Sequence, residues 1–270
     1  ELLESRGSFV MWAGIDANSL KSVQLDLSNS RFKWETSSGK VNASVLGGQI
    51  RANPMGSDWL FNLDNLTLQI NEQVMVTNWL GKMEQAGGLL LQHQQDINLT
   101  PLLDLLPLAL DTDGVAKVAA LEPSALLTSL NLQHGPEGWM VNAQASEVSW
   151  LQSDILPGLQ GLDAQFNWHA NQGMLNLKSK SGLLEIDNIL PDDLAYQRIS
   201  ADIHLEKHEL GWSLSTENAL FKSNLVSLNP SFFYRSHDQY FAFSSQIQPL
   251  DVELLPKLYP TELMGKQTRG

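Results

Sequence analysis

Residues 58–70 read DWLFNLDNLTLQI and alternate apolar with polar side chains. Trp59, Phe61 and Leu63 hold odd positions, and after Asn65 the apolar side chains move to even positions. Successive side chains of a β-strand point to opposite faces of the sheet. The stretch therefore predicts a strand with one apolar face and a change of phase at Asn65.

The same alternation recurs along most of the chain, so we predict a mainly β fold of long antiparallel strands. Many runs reach eight to twelve residues, which is longer than the usual five or six. Between the runs, Gly47-Gly48 and Asn171-Gln172-Gly173 predict turns, because these residues tolerate positive φ. The further alternating runs are 23–27, 139–145, 162–168, 175–177, 199–205, 212–214, 232–234 and 241–243.

Two or three short helices interrupt the strands. An insertion near 100–122 begins with Thr100-Pro101, which predicts a helix capped by Thr100 with proline at its first position, and a second short helix follows it. A truncated terminal helix is predicted near 251–264. We expect residues 1–270 to form one continuous domain.

The composition excludes several functional classes. The chain has 270 residues, 17 Lys and Arg against 30 Asp and Glu, a formal charge of −13 and no cysteine. The acidic balance argues against nucleic-acid binding, which depends on cationic side chains that displace counterions from phosphates. Without cysteine the chain can hold no thiolate metal site, cysteine nucleophile or disulfide.

No pattern in the sequence points to catalysis. His204 and His208 have the spacing of metal ligands on a helix, but they follow a strand pattern with an expected turn at Glu206-Lys207. On a straight strand they would lie about 13 Å apart, too far to share a metal ion. No nucleophile elbow, phosphate-binding loop or dinucleotide fingerprint occurs. We therefore expect no enzyme, no catalytic residue, no metal site and no cofactor.

The predicted strands have more apolar surface than the predicted helices can cover. A sheet with one apolar face must bury that face against another layer. Either a second sheet closes a sandwich, or the face binds an apolar ligand. The alternation of side chains does not separate these two possibilities.

The order of several short motifs resembles the YhdP family, which is related to the AsmA-like and TamB-related lipid-transport proteins of Gram-negative envelopes. Residues 39–68 are similar to the repeating strand pattern of AsmA-like proteins. Between Asp154 and Met264 the motifs are LPGLQGLDA at 156–164, a hairpin around Gly173, ISADI at 199–203, GWSL at 211–214 and VELLPKLYP at 252–260.

This resemblance implies a long sheet curved into a taco-like groove with an apolar lumen. It implies a periplasmic protein, held at the inner membrane by an anchor outside this chain, that moves phospholipid between the inner and outer membranes and supports the outer-membrane barrier. The expected partners are phospholipid acyl chains, and envelope protein partners stay unidentified. The chain is expected to be a fragment of a longer protein.

One row of each strand is predicted to face acyl chains or the core of the groove. In the helical insertion, Leu103 and Leu106 are expected to lie against the apolar face of the sheet and to narrow the groove, or else to cover one end of an ordinary core. The strand candidates are Leu25, Leu27, Phe61, Leu63, Trp139, Val141, Phe166, Trp168, Leu175, Leu177, Ile203, Leu205, Trp212 and Leu214.

Two other functions compete with the lipid groove. A closed β-sandwich could bind envelope polysaccharide on its eight tryptophans, and it would have a dry interior. A structural scaffold spanning the envelope would share the repeated strands but leave no continuous apolar surface.

Overall fold

The computed structural model describes residues 2–93, 95–108, 112–153, 157–185 and 193–248. Strands make up 75% of the chain and helices 7%, and all paired strands are antiparallel, which confirms the predicted mainly β fold. The terminal helix expected near 251–264 lies outside the described residues. The strands are β1 (Leu2–Asp16), β2 (Ser19–Thr36), β3 (Gly39–Met55), β4 (Asp58–Ile70), β5 (Gln73–Met83), β6 (Leu89–His93), β7 (Ile97–Asn98), β8 (Ser124–Gly135), β9 (Gly138–Trp150), β10 (Gly158–His169), β11 (Gln172–Ser179), β12 (Gly182–Glu185), β13 (Leu194–His208), β14 (Gly211–Ser223), β15 (Ser227–Arg235) and β16 (Tyr240–Ile247).

Contacts divide the chain into two compact units. The first comprises Glu1–Ala119 and Ala125–Gln144, and its strands pair in the order β1-β2-β3-β4-β5-β6-β8. The second comprises Ala120–Ser124 and Ala145–Gly270, and its strands pair in the order β10-β11-β13-β14-β15-β16. Strand β9 has residues in both units. The expectation of one continuous domain stays a prediction.

Tight turns join neighbouring strands and fix their register. Strand β2 has 18 residues, which corresponds to a length of about 60 Å. It pairs with β1 from the turn onward, because Asp16 lies opposite Ser19 and the two residues between them, Ala17 and Asn18, both have positive φ. A two-residue turn of this kind matches the right-handed twist of the strands it connects.

Strand irregularities shift the phase of the alternation in the first unit. Asn65 has a φ of 51°, and the register of β4 against β5 shifts between Leu63 and Leu66, which confirms the predicted change of phase. The backbone N–H of Asn65 donates to Asn78 Oδ1 at 2.5 Å. In β2, Asn29 has a φ of 44° and interrupts the pairing with both neighbours. Such bulges bend a strand and increase its twist.

The turn predicted at Gly47-Gly48 is wrong. Both glycines lie inside β3, where Gly48 has a φ of 147° and the register against β4 is irregular. The Cα of Leu66 would lie 2.9 Å from a Cβ placed on Gly48. Gly48 therefore allows a close approach between β3 and β4. Glycine suits such an approach as well as a turn.

The helical insertion consists of α1 (Thr100–Leu103), a 3₁₀ helix (Leu106–Leu108) and α2 (Thr112–Ala120). The helix begins one residue earlier than predicted, so Thr100 is its first residue and not the cap, and Pro101 is its second residue. The N-cap residue is Leu99, and the N–H of Thr100 is satisfied by Asn98 Oδ1 at 2.9 Å. The side chain of Asn98, two residues before Thr100, therefore takes the place of the expected threonine cap.

Few side chains are fully buried. Among the described residues, the buried hydrophobic side chains of the first unit are Val41, Ile70 and Ile97, and those of the second are Leu159, Leu162, Leu194 and Tyr196. Leu159, Leu162 and Tyr196 form one cluster, and Tyr196 Oη donates to the carbonyl of Gln160 at 2.7 Å. Most apolar residues of the strands are half-buried, so each unit has a small core and a large remaining apolar surface.

Replacing Gly81 by alanine should destabilise the first unit. Phe61 lies opposite Gly81 in the register, and its ring atoms would lie 2.1 Å from an added Cβ. The ring would have to leave its position, and overpacking of this kind costs about 1–3 kcal/mol. Chemical denaturation should show this loss in the free energy of unfolding. Gly47→Ala is the matched control, because nothing lies within 4 Å of its added Cβ; equal losses in both variants would contradict the packing of Phe61 on Gly81.

Candidate functional site

The second unit has one apolar and one polar face. Directly opposed residues of paired strands point to the same face. The register sets Trp168 opposite Gly173, Gly173 opposite Leu205 and Leu205 opposite Leu214. The next row on the same face, two residues further along each strand, consists of Phe166, Leu175 and Ile203. Six of the predicted residues are thus brought together on one surface, the apolar face of the second unit.

Aromatic rings lie side by side on this face. The ring centroids of Trp168 and Trp212 are 5.4 Å apart, and those of Phe166 and Trp168 are 6.5 Å apart. The Trp168 ring lies over Gly173, since an added Cβ there would come within 2.6 Å of Trp168 Cε3. Glycine opposite tryptophan lets the ring lie flat on the strand, which broadens the apolar surface.

The apolar face of the second unit extends to β16 and stays accessible there. Tyr234 pairs with both Leu214 and Phe241, and Phe232 pairs with Phe243. Phe241 and Phe243 are 62% and 60% exposed, and Trp212 is 40% exposed. Isolated exposed hydrophobic residues are ordinary, but a contiguous group of large ones marks a binding surface.

The opposite face of the second unit is polar. Asn176, Asp202 and Asn218 oppose one another across β11, β13 and β14, and Asn176 Nδ2 donates to Asp202 Oδ1 at 2.6 Å. Met174 and Phe233 also lie on this face. A polar face needs no cover in water, so any apolar ligand of this unit would bind the other face.

The first unit repeats the division into two faces. Its register aligns Leu25, Ile50, Leu63 and Trp79 in one row of the apolar face, and the next row contains Phe61. On the other face, Asp26 accepts hydrogen bonds from Gln24 and Gln49 at 3.1 and 2.7 Å. Leu27 continues the apolar face opposite Phe9 of β1, and Phe9 is exposed.

The helical insertion covers one end of the apolar face of the first unit. The 3₁₀ helix lies beside β2 and β3, α1 lies beside β5, and Thr112 Oγ1 of α2 donates to the Ser37 carbonyl in the β2–β3 turn at 2.9 Å. At this end Val41 and Ile70, on the apolar face, are buried, whereas Val74 and Val76, on the polar face, are exposed. Leu103 and Leu106 belong to this covering segment and are half-buried. Their contact with lipid stays a prediction.

Trp139 and Val141 lie at the start of β9, in the part that belongs to the first unit. The Trp139 ring packs on His134, with centroids 4.8 Å apart, and Trp139 remains exposed. His134 opposes Leu89, which opposes Met83 of β5. Trp139 therefore lies at the open end of the apolar face, opposite to the end that the insertion covers.

Several residues of the apolar faces were foreseen as strand positions but not as candidates. Tyr234 and Phe241 belong to alternating runs, yet only the register shows that they continue the row of Leu214. Trp79 and Ile50 were missed entirely, because β5 has apolar side chains on both faces and β3 carries glycines and polar residues. Matched registers, and not local periodicity, identify these four residues.

His93 is a buried polar residue on the apolar face of the first unit. Its Nε2 lies 2.6 Å from Thr77 Oγ1, and its ring packs edge-on against Trp79 at 4.8 Å. Burial lowers the pKa of His93 below its ordinary value of 6.5. The hydrogen bond to buried Thr77 explains the histidine structurally, since buried polar groups are stable only when paired.

The lowered pKa of His93 should make the first unit less stable in mild acid. The unfolded chain takes up a proton as the pH falls below 6.5, whereas the folded chain keeps His93 neutral to lower pH. The free energy of unfolding should therefore fall as the pH is lowered through 6.5, until His93 is protonated in the folded chain as well. His93→Gln should reduce this fall. Identical pH profiles for the wild type and His93→Gln would refute the assignment.

The described residues offer no arrangement suited to metal chemistry. Within the described ranges, no group of three His, Asp or Glu side chains could hold a metal ion. The turn expected at Glu206-Lys207 is wrong, because β13 continues to His208, whose Nε2 lies 3.0 Å from Ser213 Oγ. In the same part of the chain, no helix has the length and apolar character to cross a membrane.

Comparison with known proteins identifies one family. The model of a family described as YhdP protein matches residues 1–270, the whole chain. No match to the chain was found among the curated proteins or among the solved structures. Because the match covers every residue, the chain belongs to the YhdP family.

Proposed function

We propose that this chain is a segment of a periplasmic, inner-membrane-anchored protein whose apolar faces carry phospholipid between the inner and outer membranes. Membership of the YhdP family supports an envelope protein of the lipid-transport type. The observation that carries the proposal is the apolar face of the second unit, where Trp212, Phe241 and Phe243 are exposed beside half-buried rows of apolar side chains. A continuous surface of this kind suits acyl chains.

The proposed binding needs no specific polar contact. Moving a methylene group from water to an apolar surface yields about 0.8 kcal/mol when it is fully buried. A dozen methylenes, half-buried on the face, would contribute about 5 kcal/mol. Such non-directional binding holds a lipid but leaves it free to shift along the surface, as conduction requires.

A closed sandwich is the weaker alternative. A sandwich needs two packed sheets, and within each unit the described strands form one sheet. A sandwich interior would also bury its apolar rows completely, whereas Phe166, Trp168, Leu175 and Leu205 are only half-buried. The envelope-spanning scaffold would lack a continuous apolar surface, and the aligned rows favour lipid binding over it. We propose no catalytic role.

Lipid analysis of the purified chain tests the proposal. Native mass spectrometry should show the chain with bound phospholipid, and solvent extraction followed by lipid mass spectrometry should identify the species. The control is the same preparation after detergent exchange and delipidation. A chain that carries no phospholipid and takes up none from vesicles would contradict the lipid-carrying proposal and favour the sandwich or the scaffold.

A further inference from the structure

The polar face of the second unit carries a row of cationic side chains. Strand pairing sets Arg198 directly opposite Lys222, and Lys178 lies opposite Ser200. Ser179 lies opposite Ile199, so extending this register by one residue brings Lys180 opposite Arg198. Lys180 lies just beyond the end of β11 and lines one cavity with Arg198 of β13, which is paired with Lys222 of β14.

This juxtaposition is costly in the free protein. Like charges directly opposite one another destabilise a sheet, and the chain has only 17 cationic residues against 30 acidic ones. Within the described part of the chain, none of Lys178, Lys180, Arg198 and Lys222 forms an ion pair. Elsewhere on the sheet, some cations do have acidic partners: Lys33 lies 2.7 Å from Glu4, and Lys82 lies 3.0 Å from Asp58.

A cavity opens beside the row. It has a volume of about 440 Å³ and is lined by Lys178, Lys180 and Arg198 together with Asp163 and the hydroxyl-bearing Ser200. Asp163 opposes Lys178 in the register and offsets one charge. Two of the three cations lining the cavity therefore have no balancing carboxylate among its walls, and Lys222, directly opposite Arg198, adds a further positive charge on the same face.

We infer that this cavity is a phosphate-binding site. A tetrahedral phosphate group presents several acceptor oxygens to the planar guanidinium and to the lysine ammonium groups, and charge-assisted hydrogen bonds of this kind are the strong ones. The phosphate can belong to an anionic phospholipid headgroup at a membrane surface or to a free phosphate. The site lies on the face opposite to the proposed acyl-chain surface, so it does not rest on that function.

Binding measurements on the whole chain test the site. Isothermal titration with inorganic phosphate at low salt should show saturable binding, and Lys180→Ala/Arg198→Ala should weaken it about tenfold or more. Arg6→Ala/Lys21→Ala is the matched control, because it removes the same charge from exposed positions of β1 and β2 and should leave binding unchanged. Circular dichroism should show all three proteins equally folded.

Sedimentation with vesicles distinguishes the two sources of phosphate. Greater binding to phosphatidylglycerol–phosphatidylcholine vesicles than to pure phosphatidylcholine vesicles, lost in Lys180→Ala/Arg198→Ala, assigns the site to a lipid headgroup. Binding of inorganic phosphate without preference for anionic vesicles assigns it to free phosphate. The proposal is overturned if the wild type binds neither, or if both double variants bind as the wild type does. If Lys180→Ala/Arg198→Ala carries as much bound phospholipid as the wild type, the proposal that the apolar faces carry acyl chains is unaffected.

Discussion

Trp212→Asp/Phe241→Asp should lose its bound phospholipid and stay folded. Both side chains lie on the apolar face of the second unit and are 40% and 62% exposed, so the folded state can tolerate polar groups at these positions. A carboxylate against an acyl chain has no partner, and burying an unpaired charge is strongly unfavourable. We expect lipid extraction to recover less than about a tenth of the wild-type phospholipid, which corresponds to a loss of about 1.4 kcal/mol or more in binding.

The polar face offers a matched control for this experiment. Phe233 on β15 is 37% exposed and Met174 on β11 38%, and both lie on the opposite face of the sheet from Trp212 and Phe241. Met174→Asp/Phe233→Asp introduces the same charge and removes comparable apolar area, but it should keep the phospholipid. Equal lipid content in the two double variants would contradict the assignment of the apolar face as the lipid surface.

Leu162→Ala should destabilise the second unit more than any truncation on its exposed rows. Leu162 is 0% exposed and packs with Leu159 and Tyr196, with Ile199 and Phe221 around them. Truncating a buried leucine removes its burial energy and leaves a cavity, which together cost about 2–5 kcal/mol. Urea denaturation followed by tryptophan fluorescence should measure this loss.

Leu183→Ala provides the comparison for the buried leucine. Leu183 lies in β12 and is 41% exposed, so its truncation should change the free energy of unfolding by less than about 0.5 kcal/mol. If Leu162→Ala lowered the free energy of unfolding as little as Leu183→Ala, the cluster around Leu162 would not be the core of this unit. That result would also weaken the distinction between core residues and accessible apolar residues.

The alternation of side chains predicts the strands because it records a local property of the backbone. The change of phase at Asn65 is visible in the sequence, since the apolar residues on both sides of it show which face is buried. The irregularity at Asn29 leaves a weaker signal: Leu25 and Leu27 hold odd positions and Phe32 and Trp34 even ones, but the polar residues 28–31 between them do not fix where the phase changes. Gly47-Gly48 suits a close strand approach as well as a turn, and the sequence does not separate them.

Pairings between strands cannot be derived from a period of two. The rows that join Trp168 to Leu214 and Leu25 to Trp79 depend on how far each strand is shifted along its neighbour. The same holds for Arg198 and Lys222, which are scattered in sequence and adjacent in the sheet. The apolar residues of each strand could therefore be predicted from the sequence of that strand alone. How these residues join into surfaces, and how the cations join into a row, depends on the pairing register between strands.

Site-specific photo-crosslinking tests the central claim most directly. p-Benzoylphenylalanine would replace Trp212 on the apolar face or Phe233 on the polar face of the second unit, and the full-length protein would be irradiated in the living cell. Mass spectrometry should then find phospholipid adducts at position 212 and not at position 233. Adducts at neither position, or at both equally, would contradict the account that the apolar face carries phospholipid acyl chains.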